Sequence, residues 1–280
     1  MTLSKALPKL KSGIEKAFNE SADRGKSGGT EDILDFLSSN IGDSIDKFIL
    51  QALVETDVTV DNIDTGSAGI NASPVPGKGV GKVSATKPSP MMDKIFKAFM
   101  KVAENGSKDG ASTPKINKEL GEDISKAILD FSKTVEVTNE IELNPFQSVG
   151  IPPITPAAID KGETGKGTGV GGDSKGLTKL SGSSTSKLAS NIEKAYNKSV
   201  DQGSKENAST PKINKELGDS IGQAIHDFFV SCTVETDVVT DGGTGEKAPT
   251  SMMPAGSSMV PTAPPPLTLS GTGKGTGKIS

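Results

Sequence analysis

The chain has 280 residues with 33 Gly, 17 Pro, 1 Cys, 1 His, 1 Tyr and no Trp, and its formal charge is −4. One Cys excludes an intrachain disulfide framework and a Cys-cluster zinc site, and one His excludes a two-His metal site. Aromatic residues are 4% of the chain, which predicts several small modules or an extended assembly component rather than one large core. No apolar run reaches the ~18 residues of a membrane span. The opening MTLSKALPKLKSGIEKAF lacks the apolar stretch of a secretory signal, and the acidic balance leaves no global basic footprint for nucleic acid.

In chain order, the first predicted element is a short amphipathic helix over about 12–22. A polar Gly/Ser loop follows, and a second helix starts at Thr30 with apolar Ile33, Leu37, Ile41, Ile45 and Phe48. The period then changes from helical to alternating across Val54 to Val60, which predicts a half-buried strand. A Pro/Gly/Ser/Thr segment occupies about 62–76, and GKGVGKVS at 77–84 closes the unit.

The same order returns twice. Helices are predicted over 91–104 and 188–201, and second helices start at Thr113 and Thr210. Residues 113–131 (TPKINKELGEDISKAILDF) align without a gap to 210–228 (TPKINKELGDSIGQAIHDF) at an offset of 97. Thr30 aligns with Thr210 at an offset of 180, which sets Val54-Glu55-Thr56-Asp57-Val58 on Val234-Glu235-Thr236-Asp237-Val238. Thr is read as the N-cap, with Pro114 and Pro211 in the first helical position, where a missing N–H costs nothing. Ile41, Phe48, Ile124, Phe131, Ile221 and Phe228 are the predicted helix core. Strands recur at Val135 to Val137 and at Thr233 to Val239, Pro/Gly-rich segments at 144–164 and 241–267, and closing motifs from Gly165 and Gly273.

This predicts an α+β chain of three tandem units, 1–87, 88–184 and 185–280. Each is a helix pair, then a two-stranded β-element with a Pro/Gly-rich connection. In the last closing strand Gly273, Gly275, Gly277 and Ile279 share one face, and Lys274 and Lys278 the other. Glycine inside a strand marks close backbone approach. The closing segment is expected to pair with the TVETDV strand, with its lysines opposite Glu235 and Asp237. Val54, Val58, Val135, Val137, Val234, Val238, Gly273, Gly275, Gly277 and Ile279 are therefore the candidate assembly strands.

Candidate chemistry is thin. The only Gly-Lys followed by Ser or Thr is Gly25-Lys26-Ser27, and Glu20 stands where a P-loop needs its first glycine. His226 is read as a solvated surface residue, and Cys232 as a small filler at a helix end. Glu235/Asp237, repeated as Glu55/Asp57, is broken at Glu136/Thr138, so a salt-laced strand face is preferred to a cation site. No catalytic residue, cofactor, metal or small-molecule ligand is expected, nor a specific nucleic-acid or membrane partner.

A helix of IEKAF type, a second helix running into DFFVSCTVETDV, a Pro/Thr/Gly linker and a closing GTGKGTGKIS resemble small virion structural proteins of tailed bacteriophages. Those proteins are usually single units ending in a similar Gly/Thr-rich strand, and this chain carries three diverged copies. The resemblance implies a non-enzymatic virion component assembled in the host cytoplasm, at the tail, baseplate, neck or head surface. It would bridge or decorate other virion proteins, at a site of three-fold or six-fold symmetry, by helix packing and strand augmentation. A bacterial surface or adhesin-like repeat protein is the alternative.

Overall fold

The computed structural model describes residues 2–26, 28–64, 71–72, 75–143, 148–149, 165–166, 169–172, 182–245 and 268–280. The expected Pro/Gly-rich segments therefore lie largely outside the described residues, as do 167–168 and 173–181 of the second closing motif. The chain is mixed α and β. Its helices are α1 (Leu3–Arg24), α2 (Thr30–Ile49), α3 (Ser89–Gly106), α4 (Thr113–Ser132), α5 (Gly182–Gly203) and α6 (Thr210–Val230). Its strands are β1 (Leu53–Asp64), β2 (Asn71–Ala72), β3 (Val75–Ala85), β4 (Glu136–Leu143), β5 (Ser148–Val149), β6 (Gly165–Lys166), β7 (Gly169–Gly172), β8 (Thr233–Gly245) and β9 (Thr268–Ile279).

The first helix of each pair is longer than its apolar pattern predicted. In α1 the helix runs through Pro8. Proline there removes a ladder hydrogen bond, but Leu3, Ala6 and Leu10 on the same turns are buried and hold the segment helical. The threonines are displaced by one position. Thr30, Thr113 and Thr210 are the first helical residues, and Gly29, Ser112 and Ser209 are the caps, none with a side-chain cap bond. The turns α3–α4 and α5–α6 each pass through one left-handed residue, Gly110 (φ 73°) and Asn207 (φ 74°). These aligned positions hold the two residue types that tolerate this conformation best.

The helices pack in cyclic order, each against the next, and α6 returns to α1. The strands form one antiparallel sheet in the order β4-β3-β1-β9-β8-β6, with β7 also paired to β8 and lying against β4. The two ends of the sheet path are thereby brought together. Strands β1 and β3, and β8 and β9, pair as expected, but the pairing extends beyond these two-stranded elements. Strand β3 pairs with both β1 and β4, and β9 pairs with both β8 and β1. In the middle of the chain β7 pairs with β8.

The expectation of separate small cores is corrected. The buried apolar residues other than Val58 form a single cluster drawn from all six helices and from the adjoining strand ends. Few large side chains are needed, because the helices approach closely and each contributes a stripe to the common interior. Phe18, Phe99 and Tyr196 occupy aligned positions in α1, α3 and α5. Tyr196 makes edge contacts with both phenylalanines, at 6.3 and 6.5 Å between ring centres. Its hydroxyl is buried without a hydrogen-bond partner, and burial pushes the phenol well above its ordinary pKa. Tyr196→Phe restores the residue found at the other two positions. It is expected to raise stability by about 1 kcal/mol by deleting an unsatisfied polar group, read as an upward shift of the thermal midpoint.

Candidate assembly surface

All six residues expected in the helix core are buried: Ile41, Phe48, Ile124, Phe131, Ile221 and Phe228. On the strands, Val54, Val58, Val135, Val137 and Ile279 are buried, and Gly277 faces the same interior. Glu55, Asp57, Thr276 and Lys278 alternate with them on the exposed face. The register sets Val234 opposite Gly277, Thr236 opposite Gly275 and Val238 opposite Gly273. A side chain on Gly277 would collide with the Glu55 carbonyl oxygen, so glycine permits the backbone approach of β9 to β1.

The expected lysine–carboxylate pairing is met in part. Asp237 lies opposite Lys274, but Glu235 lies opposite Thr276. Further pairs join different parts of the chain: Glu55 opposite Lys278 and Asp57 opposite Lys78. The candidate assembly strands therefore find their partners within the chain. Strands β1, β3, β8 and β9 each have neighbours on both sides, which removes the exposed edges a partner strand would need.

Three features of the helix contacts were not anticipated. The first is a pair of small residues, four apart, in each second helix: Ser38/Gly42, Gly121/Ser125 and Gly218/Gly222, all buried. They face the first helix of the following pair. A Cβ on Gly121 would lie 2.6 Å from the Ala189 carbonyl oxygen of α5, and one on Gly218 2.8 Å from the Glu15 nitrogen of α1. At Gly42 of α2 the neighbour is the flexible side chain of Met92 of α3 rather than backbone. Aligning the three second helices with one another carried this signal as a repeated spacing of small residues. Mid-helix Gly→Ala ordinarily stabilises by about 0.5–1 kcal/mol. Gly218→Ala is expected to destabilise instead, by about 1–3 kcal/mol, because rigid backbone blocks the methyl group. Gly106→Ala at the end of α3 meets open space and serves as the control in the same urea titrations.

The second feature is an amide pair that joins a buried asparagine to a half-buried one. Asn117 of α4 donates to Asn197 of α5 at 2.8 Å, and Asn214 of α6 donates to Asn19 of α1 at 2.9 Å. At the α2–α3 contact the aligned positions are Leu34 and Met100. Both members of the polar pair are thus replaced together by apolar residues. Asn117→Leu is expected to cost about 1–3 kcal/mol by stranding the Asn197 amide. Adding Asn197→Met is expected to recover most of that loss. A double-mutant cycle by thermal unfolding measures this coupling.

The third is a set of ion pairs across two of the hairpins. Lys94 of α3 reaches Asp130 of α4 at 2.6 Å, and Lys101 reaches Asp123 at 3.0 Å and Glu119 at 3.4 Å. The hydrogen bond from Lys94 holds the Asp130 carboxyl below its ordinary pKa. In α5–α6, Lys198 reaches Glu216 at 2.9 Å. In α1–α2 the contact is different: Arg24 stacks on the Phe36 ring at 3.8 Å.

His226 is corrected from a solvated residue to a largely covered one. Its side chain is 13% exposed, its ring lies 6.2 Å from that of Phe48, and its nitrogens contact Ser4 and Asp227. The helix wheel placed it correctly away from its own core stripe, but α1 and α2 close over that side. Cys232 is buried and donates to the Phe228 carbonyl oxygen, and burial pushes its thiol up to about 12. Burial thus disfavours the thiolate form on which cysteine reactivity depends. Among the described residues no group of three or more His, Cys, Asp or Glu is arranged to hold a metal ion, and no helix is long and apolar enough to cross a membrane. Comparison with protein-family models, curated proteins and solved structures gives no match.

Proposed function

We propose that this chain is a non-enzymatic structural component of a tailed-phage particle, a fused trimer in which three tandem units close on one another about a pseudo-three-fold axis. The observation that carries the reading is the cyclic order of contacts. Each second helix packs on the first helix of the next pair, and α6 packs on α1. The small residues and the amide pairs lie at aligned positions in those contacts. The closing strands follow the same rule: β3 bridges β1 to β4, and β9 bridges β8 to β1.

A ring of this kind suits a three-fold or six-fold position on a particle, because repeated surfaces can face equivalent neighbours while sequence divergence lets each copy differ. With most strand edges already paired, docking falls to the helix faces and the connecting segments rather than to strand augmentation. The direct test is fractionation. Purified particles and host envelopes are compared by quantitative mass spectrometry. The expected result is co-sedimentation of the chain with particles in a fixed ratio to the major particle proteins. Recovery in the envelope of phage-free cells would overturn the phage reading in favour of a surface repeat protein.

A further inference from the structure

We infer that Asn105, at the end of α3, is a self-modification site, where the backbone nitrogen of Gly106 closes on the side-chain amide and turns it into a carboxylate. The chain holds a single Asn-Gly step, Asn105-Gly106. It falls on the last two residues of α3, just before the cap Ser107. Ring closure needs the following backbone nitrogen to reach Asn105 Cγ. Glycine resists that approach least, having no side chain and the widest backbone freedom. A Cβ on Gly106 would meet nothing within 4 Å, and every residue from 106 to 115 is exposed. Only the last turn of α3 has to open for the peptide plane to rotate, and terminal turns open at the smallest free-energy cost. The side chain is also activated. Lys108 Nζ donates to Asn105 Oδ1 at 2.8 Å. An ammonium on that oxygen stabilises the negative charge that develops there during attack on Cγ.

The step needs no reactant but water. The Gly106 nitrogen gives up its proton and bonds to Asn105 Cγ; the Cγ–Nδ2 bond breaks, and Nδ2 leaves as ammonia. Nothing is oxidised or reduced. Water then opens the five-membered imide at either carbonyl. One opening leaves aspartate at 105, and the other leaves isoaspartate, with the main chain rerouted through the side chain. Both put a negative charge at the C-terminal end of α3, where the helix dipole opposes it. The site is particular to the second unit. The aligned residues are Arg24-Gly25 and Gln202-Gly203. Arginine has no carbonyl to attack. Glutamine would need a six-membered ring, and Gln202 is engaged with Glu216 at 2.6 Å. Asp109-Gly110 lies in the same turn, but a carboxylate must first take up a proton to lose water. Asn105 is therefore the residue that reacts first.

The inference does not depend on the particle reading, and its test uses the purified full chain. The chain is held for weeks in mildly alkaline buffer and sampled by peptide mass spectrometry. The expected result is conversion of Asn105 ahead of every other asparagine. It is seen as the mass difference between amide and acid, and as methyl groups accepted at 105 from an isoaspartyl methyltransferase. Gly106→Ala is expected to slow conversion about tenfold by restricting the backbone. Lys108→Met is expected to slow it about threefold by removing the charge on Oδ1. Both changes lie on the exposed turn, and unchanged thermal midpoints confirm that the variants fold. An Asn105 that stays intact in the folded chain, or converts only in urea, would overturn the inference. Acid formed without isoaspartate, or at an equal rate in Gly106→Ala, would overturn it in favour of direct hydrolysis. An equal rate in Lys108→Met would overturn the part assigned to Lys108.

Discussion

Removal of residues 268–280 is expected to increase self-association of the chain and to lower its thermal midpoint strongly. Strand β9 lies between β8 and β1, so its loss uncovers two long edges at once. Unpaired edges template pairing with other chains. The far end of the strand is tied in by reciprocal backbone bonds between Leu53 and Ser280, at 3.2 and 2.9 Å. Ile279 is 2% exposed within the common core. The helices keep most of their own contacts, so far-ultraviolet circular dichroism at low temperature is expected to stay helical while light scattering reports oligomers. Adding the peptide TLSGTGKGTGKIS in trans is expected to reverse the added association by strand addition. The same peptide with Gly277→Val should fail, because its side chain meets the Glu55 carbonyl. A truncated chain with unchanged light scattering and an unchanged midpoint would show that β9 does not close the sheet. Such a deletion would impair any particle incorporation through the fold, so a loss of incorporation alone would not locate the docking surface.

The parts of this architecture that depend on one element were legible in the sequence. Helical spacing identified Ile41, Phe48, Ile124, Phe131, Ile221 and Phe228 as core, because a 3.6-residue period reports which face is covered. Alternation likewise placed Val54, Val58, Gly277 and Ile279 on one buried side of the sheet. What covers each face was not legible, since periodicity contains no information about the partner element. The return of α6 to α1 and the bridging role of β9 belong to that second class. So does His226, which leaves its own stripe and is covered by neighbouring helices. The Asn117–Asn197 and Asn214–Asn19 pairs were hidden for a further reason. Asparagine on a helix is normally read as solvent-facing, and only a matching amide on another helix makes its burial tolerable.

Phe229→Ala is expected to be the most costly single substitution, at about 3–5 kcal/mol, or roughly 10 °C in thermal midpoint for a chain of this size. The helical pattern singled out Phe228, yet its neighbour is equally part of the core. Phe229 is fully buried, 5.3 Å from the Phe228 ring and 6.3 Å from the Phe48 ring of α2. The aligned residues are Ile49 and Ser132, and both are fully buried as well. One position therefore holds a phenylalanine, an isoleucine and a serine in three equally covered settings. The serine satisfies its hydroxyl locally, donating to the Leu129 carbonyl at 2.7 Å. The phenylalanine instead fills volume between α6 and α2. The three settings thus differ in shape, and the aligned positions of the three second helices are packed differently. Phe229→Ile is expected to lose less than Phe229→Ala, since it keeps most of the buried area. Ser132→Ala is expected to change stability by less than about 1 kcal/mol, because that change opens no large cavity. Urea titration of the three variants with a common m-value would establish the order. Equal stability of Phe229→Ala and the unmodified chain would show that the aromatic contact between α6 and α2 does not hold the ring closed.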